Sequence, residues 1–307
     1  MSSVIPTLTA LLRDPPPEFV FEVSESAISL ARTRNAATVV TQELAPGVIS
    51  PSPLRDNILL PEVFASEIAR LVPPAAGRKR RTAALILPDH SARLSVLDFD
   101  SFPEKAEDQE ALVRFRIRRS IPFDIDSAAL SYWRQNSPGG KSHEVVVAVT
   151  PAEIIARYEA PFRAVGLVPG YITASPLAAA ELVPLDGISV LAKVNSRILT
   201  VLVTHLGVLK LVRSLELTEL SLAEVAADLY PTFVYIEDNL QASAARLLLC
   251  GFGELESAAI TQFQNEMQIP VEPLRSRIGA VNGHNAGLLG YLQSTIGTAM
   301  IGTASAA

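Results

Sequence analysis

The sequence predicts two α/β lobes with mixed sheets, the first carrying a small α+β insertion. One order of elements, three strands followed by helices and strands, occurs twice, from Phe19 and again from Ile188. Residues 92–149 interrupt the first copy and have no counterpart in the second. The chain has 307 residues and is 49% hydrophobic. That suffices for two cores, because single cores stop growing near roughly 250–300 residues. The expected division is a leader at 1–17, a first lobe at 18–184 with its insertion at about 92–149, and a second lobe at 185–303.

Each element follows from its local pattern. Pro15, Pro16 and Pro17 close the leader. Phe19, Phe21 and Val23 alternate with Val20, Glu22 and Ser24, which is the period of a strand. Runs at 27–33 and 37–44 continue it as an antiparallel meander, and Pro46 and Gly47 mark a turn. Residues 60–71 set Val63, Ile68 and Leu71 near one helical face. Strands are expected at 82–87 and 92–99, and a helix from Pro103 to about Ser120. Residues 128–134 form a strand with the single tryptophan, Trp133. A hairpin-type loop at 138–141 leads to β-branched residues at 145–149. Pro151 opens a helix, since proline favours the first helical turn, and Gly166 caps its end. Strands then fall at 188–194, 198–204 and 208–215. A helical region at 220–244, a strand at 246–249, a helix at 254–264 and a short strand at 269–273 follow. Residues 286–301 are apolar but carry Gln293, Ser294 and Thr295, so they read as a buried terminal helix.

Composition excludes several classes. A net charge of −6 and a pI near 5.4 argue against nucleic acid, which needs a basic field. Cys250 is the single cysteine, so no internal disulfide forms and nothing points to an oxidising compartment. Residues 1–13 lack the basic start of a signal peptide, and no window reaches the roughly 18–20 apolar residues of a bilayer span. The expected location is cytoplasmic, with membrane contact through a partner. His90, His143, His205 and His284 are too scattered for a metal site. No Gly-x-Ser-x-Gly elbow, Walker loop or Gly-x-Gly-x-x-Gly turn is present. Asp98 and Asp100 read as edge-strand charges. The run Arg78, Lys79, Arg80, Arg81 reads as a solvated loop, with anionic lipid as the rival reading.

Specific residues then sharpen the picture. The segment Phe115, Arg116, Ile117, Arg118, Arg119, Ser120, Ile121, Pro122, Phe123 takes a helix into an extended stop. Thr150 and Pro151 open a helix ending at Gly166 and Leu167, and Ile172 to Leu177 reads Ile-Thr-Ala-Ser-Pro-Leu. In this order and spacing the chain, over about residues 19–290, resembles the type IV pilus assembly PilM family of the actin-like ATPase superfamily, related to FtsA. That family usually shows Trp-Glu-Ala, three residues, then Ile-Pro-Phe; here Phe115 replaces the tryptophan and Arg116 the acid. The resemblance implies two RNase H-like lobes with nucleotide between them.

By that resemblance two β-hairpins should cradle phosphates with backbone N–H groups, and an aspartate on each should position Mg²⁺. The family's first hairpin, Asp-Ile-Gly-Ser-Ser-Ser, is here Glu22, Val23, Ser24, Glu25, Ser26, Ala27. Glu25 sets negative charge where phosphate would lie, and Ser29 stands where lysine is common. In the second hairpin Lys193 replaces the aspartate, and Asn195, able to take a positive φ, keeps the turn. The glycine-rich nucleoside motif survives as Cys250, Gly251, Phe252, Gly253, which also reads as a plain strand-to-helix turn. The candidate nucleotide residues are thus Ser24, Ser26, Asn195, Gly251 and Gly253. ATP binding is expected to be weak or absent, with no metal and no hydrolysis.

The function implied is a scaffold of the pilus assembly complex at the inner membrane. It would bind the N-terminal tail of a PilN-like protein in a groove by the insertion, and pilus motor proteins are further candidate partners. Arg114, Arg118, Ile121 and Phe123 are the candidate partner-binding residues, the arginines giving a positive rim to an extended segment suited to β-addition. The rival readings are core packing for Ile121 and Phe123 and intramolecular ion pairs for the arginines. Two other functions compete: an active actin-like ATPase or kinase-like enzyme, and the cytoplasmic platform protein of a type II secretion system.

Overall fold

A computed structural model describes residues 16–74, 80–136 and 142–304. The leader up to residue 15, Arg78 and Lys79 of the basic run, and the expected loop at 138–141 lie outside these. Strands β1 (Phe19–Val23), β2 (Ala27–Arg32) and β3 (Asn35–Glu43) form the first meander. Helix α1 (Pro61–Leu71) leads to β4 (Arg81–Leu87), which lies parallel to β1. The insertion follows as β5 (Arg93–Phe99), α2 (Ala106–Ile117), β6 (Ala128–Arg134) and β7 (His143–Pro151). Helix α3 (Ala152–Ala164), β8 (Leu167–Ala174) and α4 (Ser175–Ala179) complete this lobe. The order in its sheet is β3-β2-β1-β4-β8.

The second lobe repeats the plan. Strands β9 (Ile188–Asn195), β10 (Ile198–His205) and β11 (Val208–Glu216) precede α5 (Leu222–Leu240), β12 (Arg246–Cys250), α6 (Glu256–Met267), β13 (Val271–Pro273) and α7 (Ala286–Ala304). Its sheet order, β11-β10-β9-β12-β13, matches the first strand for strand. The insertion is a separate antiparallel sheet, β5-β7-β6, with α2 on one face. The helix expected from Pro103 starts three residues late, at Ala106, and ends at Ile117.

Local chemistry sets the ends of these elements. Ser221 caps α5 by accepting from Glu224 N at 3.2 Å, and the Glu224 carboxylate accepts in turn from Thr218 N at 2.8 Å. Gly166 ends α3 at φ +77°, as its place after the helix requires. The first lobe's core is aromatic: Phe21 meets Phe162 edge-on at 4.8 Å, and Phe64 faces Tyr158 at 6.2 Å. Each buried ring of this kind adds about 1.5–3 kcal/mol through burial alone. A further core joins the lobes, with Leu289 and Leu292 of α7 packed on Ala178 and Ala179 of α4.

Candidate functional site

Alternation along the central strands decides what enters the space between the lobes. On β1, Phe19, Phe21 and Val23 fill the first lobe's core, which turns Val20 and Glu22 inward between the sheets. On β9, Val190, Ala192 and Val194 fill the second core, which turns Leu191 and Lys193 to the same space. Glu22 and Lys193 are fully buried there. Lys193 Nζ donates to Asp89 Oδ2 at 2.5 Å, and Asp89, just past β4, is buried too. Among the described residues, Asp89 Oδ1 is buried with no hydrogen-bond partner. Glu22 Oε1 accepts from Ser175 Oγ at 2.6 Å, and Oε2 from Leu288 N at 2.7 Å. Leu288 is in the first turn of α7, where the helix dipole favours a carboxylate. Gly287 allows this approach, because a Cβ there would lie 3.0 Å from Glu22 Oε1.

Burial raises the Glu22 pKa above its ordinary value, and the Lys193 charge offsets this only in part. Burial pulls the Lys193 pKa down, but Asp89 and Glu22 outweigh it, and the net rise keeps the ammonium charged.

Nearer the mouth of the cleft, the chain closes on itself. Ser24 in the first hairpin lies 3.2 Å, Oγ to Nδ1, from His284. Asn195 at the second hairpin donates from Nδ2 to Gly283 O at 2.6 Å. Residues 282–284 therefore run between the two hairpins. On their other side Cys250 Sγ donates to Asn282 O at 3.4 Å. A Cβ on Gly251 would meet Val194 O at 2.0 Å, and one on Gly283 would meet it at 2.7 Å. Three backbones are thus in direct contact, with no room for a side chain.

A second concavity lies between the insertion and the first lobe. Trp133 of β6, Tyr171 of β8 and Tyr291 of α7 line a cavity of 410 Å³. Trp133 and Tyr171 are 43% and 47% exposed, and the two tyrosine rings meet at a tilt of 35° with centroids 5.1 Å apart. Trp133, Leu177, Glu181 and Ser294 continue into an adjoining cavity of 630 Å³ that reaches Leu185 and Leu209 of the second lobe. Strands β6 and β8 each end their sheets, so the groove is bordered by two edge strands.

Solved structures share this fold. The PilM–PilN type IV pilus biogenesis complex superposes with a TM-score of 0.66 at 20% identity, over 94% of this chain and 99% of that one. A protein of Bacteroides thetaiotaomicron with an actin-like ATPase fold and unknown function follows, at TM-score 0.51 and 13% identity, over 90% of this chain and 96% of that one. This chain has the actin-like ATPase fold. The cytoplasmic domain of EpsL, an inner-membrane component of the type II secretion system of Vibrio cholerae, aligns at TM-score 0.49 and 12% identity, over 90% and 94% of the two chains. No protein-family model and no curated protein matches the sequence.

An actin-like fold implies a nucleotide between the two hairpins, and the residues present do not fit one. Residues 282–284 and the His284 ring fill the gap between Ser24 and Asn195. The position expected to hold a metal-binding aspartate is the buried Lys193, already paired with Asp89. Among the described residues no cluster of three or more His, Cys, Asp or Glu side chains could hold a metal ion.

The structure brings Ser24 and Asn195 together and leaves Ser26 at the tip of the first hairpin. It corrects one detail: the positive φ of the second hairpin belongs to Ser196, at +52°, while Asn195 ends strand β9. Gly251 and Gly253 take positive φ at +82° and +54° in a strand-to-helix turn. Ser29 bonds Thr41 Oγ1 at 3.0 Å within the meander. Cys250 is buried, and burial pushes its thiol up to about 12.

Residues 114–123 keep Arg116, Arg118 and Arg119 exposed, while Ile117 and Ile121 are buried. Ile121 is a core residue of the insertion beside Val113 and Ile117, and Phe123 packs on that core. Arg114 bonds Glu110 at 2.8 Å and Ile125 O at 2.7 Å, and Arg118 bonds Asp126 at 3.2 Å. All four lie on the α2 side of the inserted sheet, whereas Ser131, Trp133 and Ala148 face the groove from the other side. Of the basic run, Arg81 is tied to Val165 O at 2.8 Å and stacks over Phe19. Among the described residues no helix is long and apolar enough to cross a membrane.

Proposed function

We propose that this protein is a nucleotide-independent scaffold for type IV pilus assembly that receives the N-terminal tail of a PilN-like membrane protein in its aromatic groove. The structural likeness to a PilM–PilN complex supports the setting. The groove carries the reading: three aromatic rings line a channel flanked by edge strands, which suits an extended apolar peptide. Main-chain bonds to an edge would supply affinity, and the rings would select alternate side chains. The cleft between the lobes performs no phosphoryl transfer in this reading, because that chemistry rests on positioned metal, phosphate and water.

Trp133 is the single tryptophan, so its fluorescence reports the groove directly. A synthetic peptide with the N-terminal tail of a PilN-like protein should shift that emission and saturate, and Tyr171→Ala should weaken its binding about tenfold, the loss of one aromatic anchor. An unmoved emission, or full affinity in Tyr171→Ala, would defeat the proposal.

A further inference from the structure

We propose that this chain replaces an interlobe ligand with its own residues: the segment 282–284 and the Lys193–Asp89 pair clamp the lobes closed, and that clamp keeps the groove assembled. The part concerning the groove rests on the function proposed above. The remainder stands on the cleft alone.

Several polar contacts from one half of the molecule to the other fall on this segment and this pair. Lys193 of the second lobe reaches Asp89 of the first, and Ser214 Oγ of β11 donates to Asp89 O at 3.2 Å. His284 touches Ser24 of the first hairpin while the adjoining Gly283 O holds Asn195 of the second. Two residues on, α7 begins and delivers its Leu288 N–H to Glu22. The charges are internally matched, with one buried ammonium between two buried carboxyls and a helix N-terminus behind the second. A cleft closed in this way gains nothing from an added anion, since the Lys193 ammonium and the Asn195 amide that would meet it are already bonded.

The insertion is fastened across the same gap. Gln135 forms a two-way amide pairing with Leu209, donating to its O at 2.7 Å and accepting from its N at 2.9 Å. Lys210 Nζ donates to Glu144 Oε1 at 2.6 Å. The 630 Å³ cavity takes walls from the insertion, the first lobe and the second lobe together. Hinge opening between the lobes would separate those walls, so the clamp fixes the groove in one shape before any peptide arrives.

Three measurements test this on the full chain. Small-angle scattering and thermal melting should be unchanged by millimolar magnesium-ATP; compaction or stabilisation by the nucleotide overturns the proposal. The variant Asn195→Ala with His284→Ala should speed amide exchange in both hairpins by about tenfold or more while α1 and α6 exchange as before. Unaltered exchange in the hairpins overturns it. Should that variant fail to fold, His284→Ala alone is read in the same way. The tail peptide should bind these variants more weakly than the parent, and equal binding overturns the link to the groove. If the peptide fails to bind the parent protein, the proposed function is lost, and scattering and exchange still decide the clamp.

Discussion

Asp89→Ala removes one carboxylate from the cleft and leaves Lys193 buried. The ion pair is dry, with Lys193 at 0% and Asp89 at 4% exposure, so water cannot take the carboxylate's place without opening the lobes. Leaving one member of such a pair unpaired costs about 3–5 kcal/mol. Glu22 still offers Lys193 a second negative neighbour, which places the loss near the lower figure, about 3 kcal/mol. With about 2.1 cal/mol/K of unfolding entropy per residue over 307 residues, the midpoint should fall by about 5 °C. Circular dichroism melting at neutral pH measures it. The control is Asp89→Leu with Lys193→Met and Glu22→Gln, which removes all three buried charges and should melt within about 1 kcal/mol of the parent, or above it. A single variant within about 2 °C of the parent, or a control that falls as far as Asp89→Ala, refutes the reasoning.

Other expectations follow from the same geometry. Folding raises the Glu22 pKa above its ordinary 4.5, so the native state holds a proton that the unfolded chain has already released; stability falls as pH climbs through that window, and Glu22→Gln should flatten this part of the melting-temperature curve. Gly251→Ala meets both a φ of +82° and a backbone oxygen at 2.0 Å, so it should cost about 3 kcal/mol or more, seen as a shifted denaturant midpoint. Arg114→Glu with Arg118→Glu disturbs largely exposed ion pairs on the far side of the inserted sheet; it should cost about 1 kcal/mol and leave peptide affinity unchanged. The Cys250 thiol, pushed up to about 12 and buried, should react with a thiol reagent only as the protein unfolds, which a time course of labelling in denaturant measures.

The lobes were legible because their strands announce themselves twice. Alternation at Phe19 to Ser24 and the apolar runs from Ile188 fix which residues face which core, and the repeat of that order gives the paired sheets. The positions of the two hairpins were legible for the same reason. The contents of the cleft were not. A lysine in the middle of β9, among Ala192, Val194 and other apolar residues, signals a buried charge that must have a partner. Nothing local says that the partner is Asp89, 104 residues earlier in the chain. His284 follows Asn282 and Gly283, a pattern that reads as a loop before a helix, and only the tertiary fold sets that loop between the hairpins. The groove was missed for a different reason. Trp133 stands out as the single tryptophan, but β6 has two faces, and the arginines of α2 point to the face opposite the groove proposed above.

The three touching backbones at Val194, Gly251 and Gly283 also restrict how this cleft can evolve. Lys193→Asp would set a third acid beside Asp89 and Glu22 and leave the loop still wedged between the hairpins. Shortening the loop without changing Lys193 would leave a buried cation facing whatever entered. A shorter loop alone would still leave the Lys193 ammonium held by Asp89, so a phosphate-binding cleft takes more than one change. Drift in this protein is therefore free to act on the groove's rims while the cleft stays fixed.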